Sequence, residues 1–114
     1  MSKLTRSVWA EVRLDNIAYN VRRFREFIGP DCELMAVVKA NGYGHGALET
    51  AYTMIANGTN WLAVALPEEA VRLRRGGITA PLLVLGAVSA DELDVCVAQD
   101  LVVTVFEPHM ARLL

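Results

Sequence analysis

At 114 residues the chain fits one domain, and 54% apolar against 21% charged residues describes a globular core and excludes a disordered chain. A net charge of -2 and a pI near 5.6 give no electrostatic footprint for nucleic acid, although a phosphate-bearing small molecule stays compatible. No apolar run approaches the ~20 residues of a membrane helix and no apolar segment before Glu11 resembles a secretory signal, so no membrane association is expected and the expected address is cytoplasmic.

Residues 1–14, with the run Ser7 to Leu14, read as an N-terminal strand segment, and residues 15–114 as one partial domain. Asp15 is placed to N-cap a helix whose Ile17, Val21, Phe24 and Ile28 share a face, ending at Gly29-Pro30. Arg22, Arg23 and Arg25 then fall mainly toward solvent, as the charged face of an amphipathic helix. From Glu33 the pattern repeats: an apolar run, an amphipathic helix, another apolar run. Strands are expected over Leu34 to Val38, Trp61 to Ala65, Pro81 to Leu85 and Leu101 to Phe106. Between the first two, Leu48, Ala51, Tyr52 and Ile55 form a helical stripe that stops at Asn57-Gly58. Pro67, Glu68 and Glu69 make a first helical turn, and Arg72, Arg74 and Arg75 a last one before Gly76-Gly77. Ser89 and Glu92 have capping-box spacing, and a final helix opens at Glu107-Pro108. Cys32 and Cys96 stand far apart, with no pair and no histidine at ligand spacing, so neither a metal site nor a disulfide is indicated.

Strands this uniformly apolar imply a parallel sheet covered on both faces, built of right-handed βαβ units. The fold class is therefore α/β, either doubly wound or part of a (β/α)8 barrel. Length separates them only partly: a complete barrel needs about 250 residues, so as a barrel this chain would supply roughly half of one, truncated before closure.

The segment Met35 to Gly46, "MAVVKANGYGHG", carries the chemistry. By strand alternation Met35, Val37 and Lys39 share one face, which puts an amine at the carboxyl end of a buried strand, where α/β folds bind ligands. The phosphate-loop template fails because Lys39 precedes the glycines, and Gly42, Gly44 and Gly46 do not give the dinucleotide spacing. What remains is a loop of little bulk that a ligand can approach closely, with Tyr43 and His45 as polar handles; His45 reads as a structural hydrogen-bonder. A lysine of ordinary pKa, near ~10.4, is mostly protonated at neutral pH and needs desolvation to become a nucleophile, which a buried strand end supplies. The chemistry most often served by such a lysine is imine formation with an aldehyde, above all pyridoxal phosphate.

"AVVKANGYGHGA" resembles, nearly letter for letter, the cofactor-lysine motif of bacterial alanine racemases. "LDNIAYNVRRFR" is similar to that family's first helix, "WLAVALPEEAVRLRRGGITAPLLVLGA" to its second and third barrel strands, and "DLVVTVF" to the strand after them. The resemblance covers nearly all of this chain and about the N-terminal third of a racemase. It implies the N-terminal part of a (β/α)8 barrel that binds pyridoxal 5'-phosphate, interconverts L- and D-alanine for cell-wall precursor supply, and works as a homodimer. Lys39 would be the catalytic residue, holding the cofactor as a Schiff base and serving as the base for the D-enantiomer. Tyr43 would donate to the cofactor phosphate, and Leu85 would pack near the cofactor. The family often has alanine where this chain has Gly42, a change expected to loosen the turn without touching the chemistry. The resemblance puts the second base, a tyrosine from the partner subunit, beyond residue 114, so the chain alone is expected to be inactive. Another pyridoxal-phosphate enzyme on a related barrel, a decarboxylase or D-amino-acid aldolase, and a noncatalytic phosphate-ligand domain stand as alternatives.

Overall fold

The computed structural model describes residues 7–114. The N-terminal strand segment lies partly outside these residues, and over its described part, Ser7 to Arg13, the backbone has no ladder partner. Helix α1 (Leu14–Ile28) leads into β1 (Met35–Val37), a short helical turn α2 (Lys39–Tyr43) and α3 (Ala47–Ala56). Strand β2 (Trp61–Val64), α4 (Pro67–Arg75), β3 (Leu82–Ala87) and α5 (Leu93–Ala98) follow, then β4 (Val102–Thr104) and α6 (Pro108–Leu113). Each expected strand is present, shortened or shifted by a few residues. None of the described helices is long and apolar enough to cross a membrane.

All neighbouring strands pair in parallel, in the order β1-β2-β3-β4. A doubly wound sheet reverses its strand order at a switch point, whereas here the crossovers advance one strand at a time and their helices pack on the same row of the sheet. That progression is the start of a (β/α)8 barrel. Alternate strand residues Val38, Leu62, Val64, Leu82 and Val84 pack against Ala51 of α3, Ala70 and Leu73 of α4, and Leu93 and Cys96 of α5 in one core. The expectation of a sheet covered on both faces is therefore corrected. The other row is left half-open, with Met35, Leu85 and Val102 exposed. A barrel covers its inner face by closing on itself, so apolar residues on both faces of a strand do not require two helical layers.

Two further expectations change around α1. Arg13, not Asp15, is the N-cap, and Asp15 sits inside the first turn, where a carboxylate complements the helix dipole. Ala18 and Val21 are buried, while Phe24 stays exposed because α1 packs on α3 and leaves the free edge of β1 uncovered. Arg25 is not a solvent-facing charge. Its guanidinium donates to Gly29 O at 3.1 Å, Cys32 O at 2.6 Å and Gly58 O at 2.6 Å, and to Asn60 Oδ1. Asn60 Oδ1 also accepts from Leu34 N–H at 2.8 Å, so one arginine ties the end of α1 to the start of β1 and the loop before β2. Arg74 does the same at the other flank of the sheet, donating to the carbonyls of Ile78, Ala80, Gln99 and Asp100 at 2.7–3.0 Å.

Replacing Arg25 by Met keeps the apolar stem and orphans these acceptors, which should cost about 2–3 kcal/mol in urea unfolding. A change under about 0.5 kcal/mol, ordinary for a surface residue, would contradict the bracing role. At the start of α5, Ser89 N–H and its hydroxyl donate to Glu92 Oε1 at 3.1 and 2.8 Å. These bonds, the backbone one first, hold the Glu92 carboxyl below its ordinary value. A lowered folded value means that the stabilisation is complete above the unfolded carboxylate range and is lost as pH falls through the folded value. Ser89→Ala keeps the backbone bond and removes the hydroxyl, so the Glu92 titration, followed by NMR, should move only part of the way up; an unmoved titration would contradict the hydroxyl's share.

Candidate active site

The chain leaves the sheet at Val38, whose N–H donates to Ala63 O at 2.9 Å and whose dihedrals (φ -123°, ψ 24°) are no longer those of a strand. From there it turns the wrong way. Ala40, Asn41, Gly42, Tyr43 and Gly44 have φ of 52°, 55°, 65°, 57° and 87°, a run of left-handed residues of which three carry a Cβ. Left-handed helix costs an L-residue roughly 1–2 kcal/mol, so such a run persists only where its surroundings fix it. Here Gly42 N–H reaches Val38 O at 2.9 Å, Gly44 N–H reaches Ala40 O at 3.1 Å and Gly46 N–H reaches Asn41 O at 2.9 Å. Asn41 Oδ1 accepts from Ala47 N–H at 2.9 Å and starts α3. The His45 ring lies with Nδ1 2.9 Å from Gly42 O, a structural contact as its sequence position suggests.

Lys39 opens this turn and does not end a strand, because β1 stops at Val37. It is partly buried, which corrects its placement at a fully buried strand end. The sheet register sets its neighbours. Val37, Ala63 and Leu83 are aligned across β1, β2 and β3, and two residues further along stand Lys39, Ala65 and Leu85. Gly86 N–H donates to Ala65 O at 3.1 Å, so β2 and β3 remain joined at that level. Leu85 is thus held beside Ala65 at the carboxyl end of the sheet, while Lys39 stands just past the end of β1, on the turn that leaves it. Leu85 is 37% exposed on the uncovered face, and Tyr43 is 58% exposed on the turn. An amine, a phenol and an apolar side chain therefore stand at the edge where parallel folds bind ligands. This donor set fits pyridoxal phosphate: an amine for the aldehyde, an O–H donor for a phosphate oxygen, an apolar contact for the ring.

Glu69 is the residue whose role sequence reasoning missed. Beyond acidifying the first turn of α4, its Oε1 accepts from Ala65 and Leu66 N–H, each at 2.9 Å, and its Oε2 accepts from Ala40 N–H at 2.7 Å. Leu66 has no capping side chain, so the capping-box signature is absent and only Pro67 marked the helix start in the sequence; the reach to residue 40 had no signal. Thr50, 3% exposed, lines the cavity beside Val37, Gly42 and Tyr43 with its hydroxyl unpartnered among the described residues.

A family model described as alanine racemase, N-terminal domain, matches residues 12–114. Alanine racemase 2 of Oceanobacillus iheyensis is 50% identical over 107 residues, which are 94% of this chain and 27% of that protein. Alanine racemase 2 of Bacillus subtilis is 46% identical over 107 residues, again 94% of this chain and 27% of that protein. The solved structure of alanine racemase from Bacillus anthracis with bound L-Ala-P superposes with a TM-score of 0.91 at 42% identity, covering 97% of this chain and 29% of that one. Alanine racemase of Clostridium difficile 630 superposes with a TM-score of 0.91 at 33% identity, covering 97% and 30%. The chain thus spans a little over a quarter of the length of the curated relatives it matches.

The turn makes a direct prediction. At Gly42 an added Cβ would meet Ala47 N and Cα at 3.4 Å, a contact without clash, so the penalty for Gly42→Ala is the left-handed φ. Gly42→Ala should lower stability by about 1 kcal/mol in thermal unfolding. A stabilised variant would show that the unfolded-state entropy of glycine outweighs the strain, as the expectation of a loosened turn implies.

Proposed function

The chain belongs to the alanine racemase N-terminal domain family, and from that premise we propose that it is the lysine-bearing part of a pyridoxal-phosphate-dependent alanine racemase. The observation that supports this reading is an amine and a phenol four residues apart on a hydrogen-bonded left-handed turn at the carboxyl end of the first barrel strand. Bound there, pyridoxal phosphate supplies an electron sink that acidifies the α-hydrogen of an amino acid.

The chain's own residues do the rest. Lys39 Nζ would hold the cofactor through its aldehyde carbon, water being lost, and when released would take or return the α-hydrogen on the face used by the D-enantiomer. Tyr43 O–H would hold the phosphate as a donor. Leu85 would pack against the cofactor and exclude water from the uncovered side of the sheet. Racemisation needs a base on each face of the α-carbon, and Lys39 serves one. On this reading the second base comes from the partner subunit of a homodimeric cytoplasmic enzyme acting on free alanine, and the 114-residue chain alone does not racemise.

Adding pyridoxal phosphate to the chain should produce an absorbance band near the violet edge of the visible, absent in Lys39→Ala. Persistence of the band in that variant would rule out Lys39 as the attachment point. Tyr43→Phe, which removes one hydrogen bond to a charged acceptor, should weaken cofactor uptake about tenfold. Conversion of L- to D-alanine by the unaccompanied chain would overturn the need for a second base from elsewhere.

A further inference from the structure

We propose that Glu69 is a positioning residue for Lys39, its carboxylate joining the lysine-bearing turn to the carboxyl end of β2; the inference rests on Lys39 being the attachment amine. The two oxygens have separate tasks. Oε1 takes the N–H groups of Ala65 and Leu66 at 2.9 Å, where β2 ends and α4 begins. Oε2 takes the N–H of Ala40 at 2.7 Å. That N–H belongs to the peptide joining Lys39 to Ala40, so the bond fixes how this peptide plane is rotated and with it the direction in which Lys39 leaves the backbone. Ala40 is also the first left-handed residue of the turn, with φ of 52° and a Cβ that disfavours it. A charged acceptor is the stronger kind of hydrogen-bond partner, and here it meets the backbone where the strain begins. Ala65 at the end of β2 and the residue that follows Lys39 are thereby tied together by one side chain. Misplacement of a reacting group by about 1 Å can cost about 100-fold, so a bond that sets this direction bears on function and not on folding alone.

The bland alternative is that Glu69 only caps α4. Glu69→Gln separates the two. The amide oxygen can keep the Ala65 and Leu66 bonds, while its NH2 then faces Ala40 N–H, donor against donor. Glu68→Gln, on the exposed neighbour in the same helical turn, controls for loss of one negative charge.

Three quantities are to be compared among the parent chain, Glu69→Gln and Glu68→Gln: the thermal midpoint, backbone amide exchange at Ala40 and Leu66, and uptake of pyridoxal phosphate. In Glu69→Gln we expect a near-parental midpoint, unchanged exchange at Leu66, exchange at Ala40 faster by about tenfold, and cofactor uptake weaker by about tenfold. Glu68→Gln should match the parent throughout. Parental exchange at Ala40 in Glu69→Gln would overturn the clamp. Faster exchange with unchanged uptake would overturn its bearing on Lys39, and an equal loss in Glu68→Gln would reassign the effect to charge and overturn the proposal. If the parent takes up no cofactor, the functional reading fails, and exchange at Ala40 still decides the clamp. Should Glu69→Gln unfold, an ester in place of the Lys39–Ala40 amide deletes the donor and leaves the α4 cap intact. It carries the same expected tenfold loss, and parental uptake there overturns the proposal.

Discussion

A left-handed turn entered directly from a strand has to draw its stability from outside itself, and the site depends on that constraint. Ala40, Asn41 and Tyr43 each hold a backbone conformation that an L-residue disfavours. In isolation the segment from residue 40 to 44 would relax. It is kept by the Val38 carbonyl at its approach, by the Gly46 N–H at its exit, by Asn41 at the start of α3 and by Glu69 from the next βα unit. The result is a rigid platform where a loop with three alternate glycines would otherwise be mobile. Rigid placement matters to the proposed function, in which the Lys39 amine would have to meet both a cofactor carbon and a substrate hydrogen in fixed geometry.

The sheet supplies the other half of the geometry. Parallel pairing in sequential order brings the carboxyl ends of β1, β2 and β3 to one level, and with them Lys39, just past β1, and Leu85, near the end of β3, although 46 positions separate them in the chain. The helices α3, α4 and α5 bury one row of the strands and leave the row of Leu85 half-open. Arg25 and Arg74 hold the two flanks by collecting loop carbonyls, so the loops at the amino ends of the strands are tied down. In a barrel that division is expected: stability at one end of the strands, chemistry at the other.

Much of this was legible in the sequence, for identifiable reasons. The four apolar runs located the strands, and Asn57-Gly58, Pro67 and the Ser89 to Glu92 spacing located helix ends, because these signals are local. Lys39 stood out since a charge extends an apolar alternation there. What could not be read depended on contacts between distant segments. Arg25 looked like one of three solvent-facing charges, yet its partners lie as far off as Asn60. Glu69 looked like a dipole-complementing acid, yet it binds a residue 29 positions earlier. The glycines signalled an unusual backbone, but not that Ala40 and Tyr43 share it. Apolar strands implied a sheet covered on both faces, and that pattern alone did not separate a second layer of helices from closure into a barrel.

The chain has two lysines, Lys3 and Lys39, which makes one measurement unusually direct. Pyridoxal phosphate is added to the chain, the bond to nitrogen is trapped by borohydride reduction, and the modified position is mapped by peptide mass spectrometry. Modification concentrated on the peptide containing Lys39, with Lys3 and the α-amino group nearly untouched, is the predicted result. Equal labelling of Lys3 and Lys39, or none at Lys39, would contradict the assignment of this turn as the cofactor-binding centre.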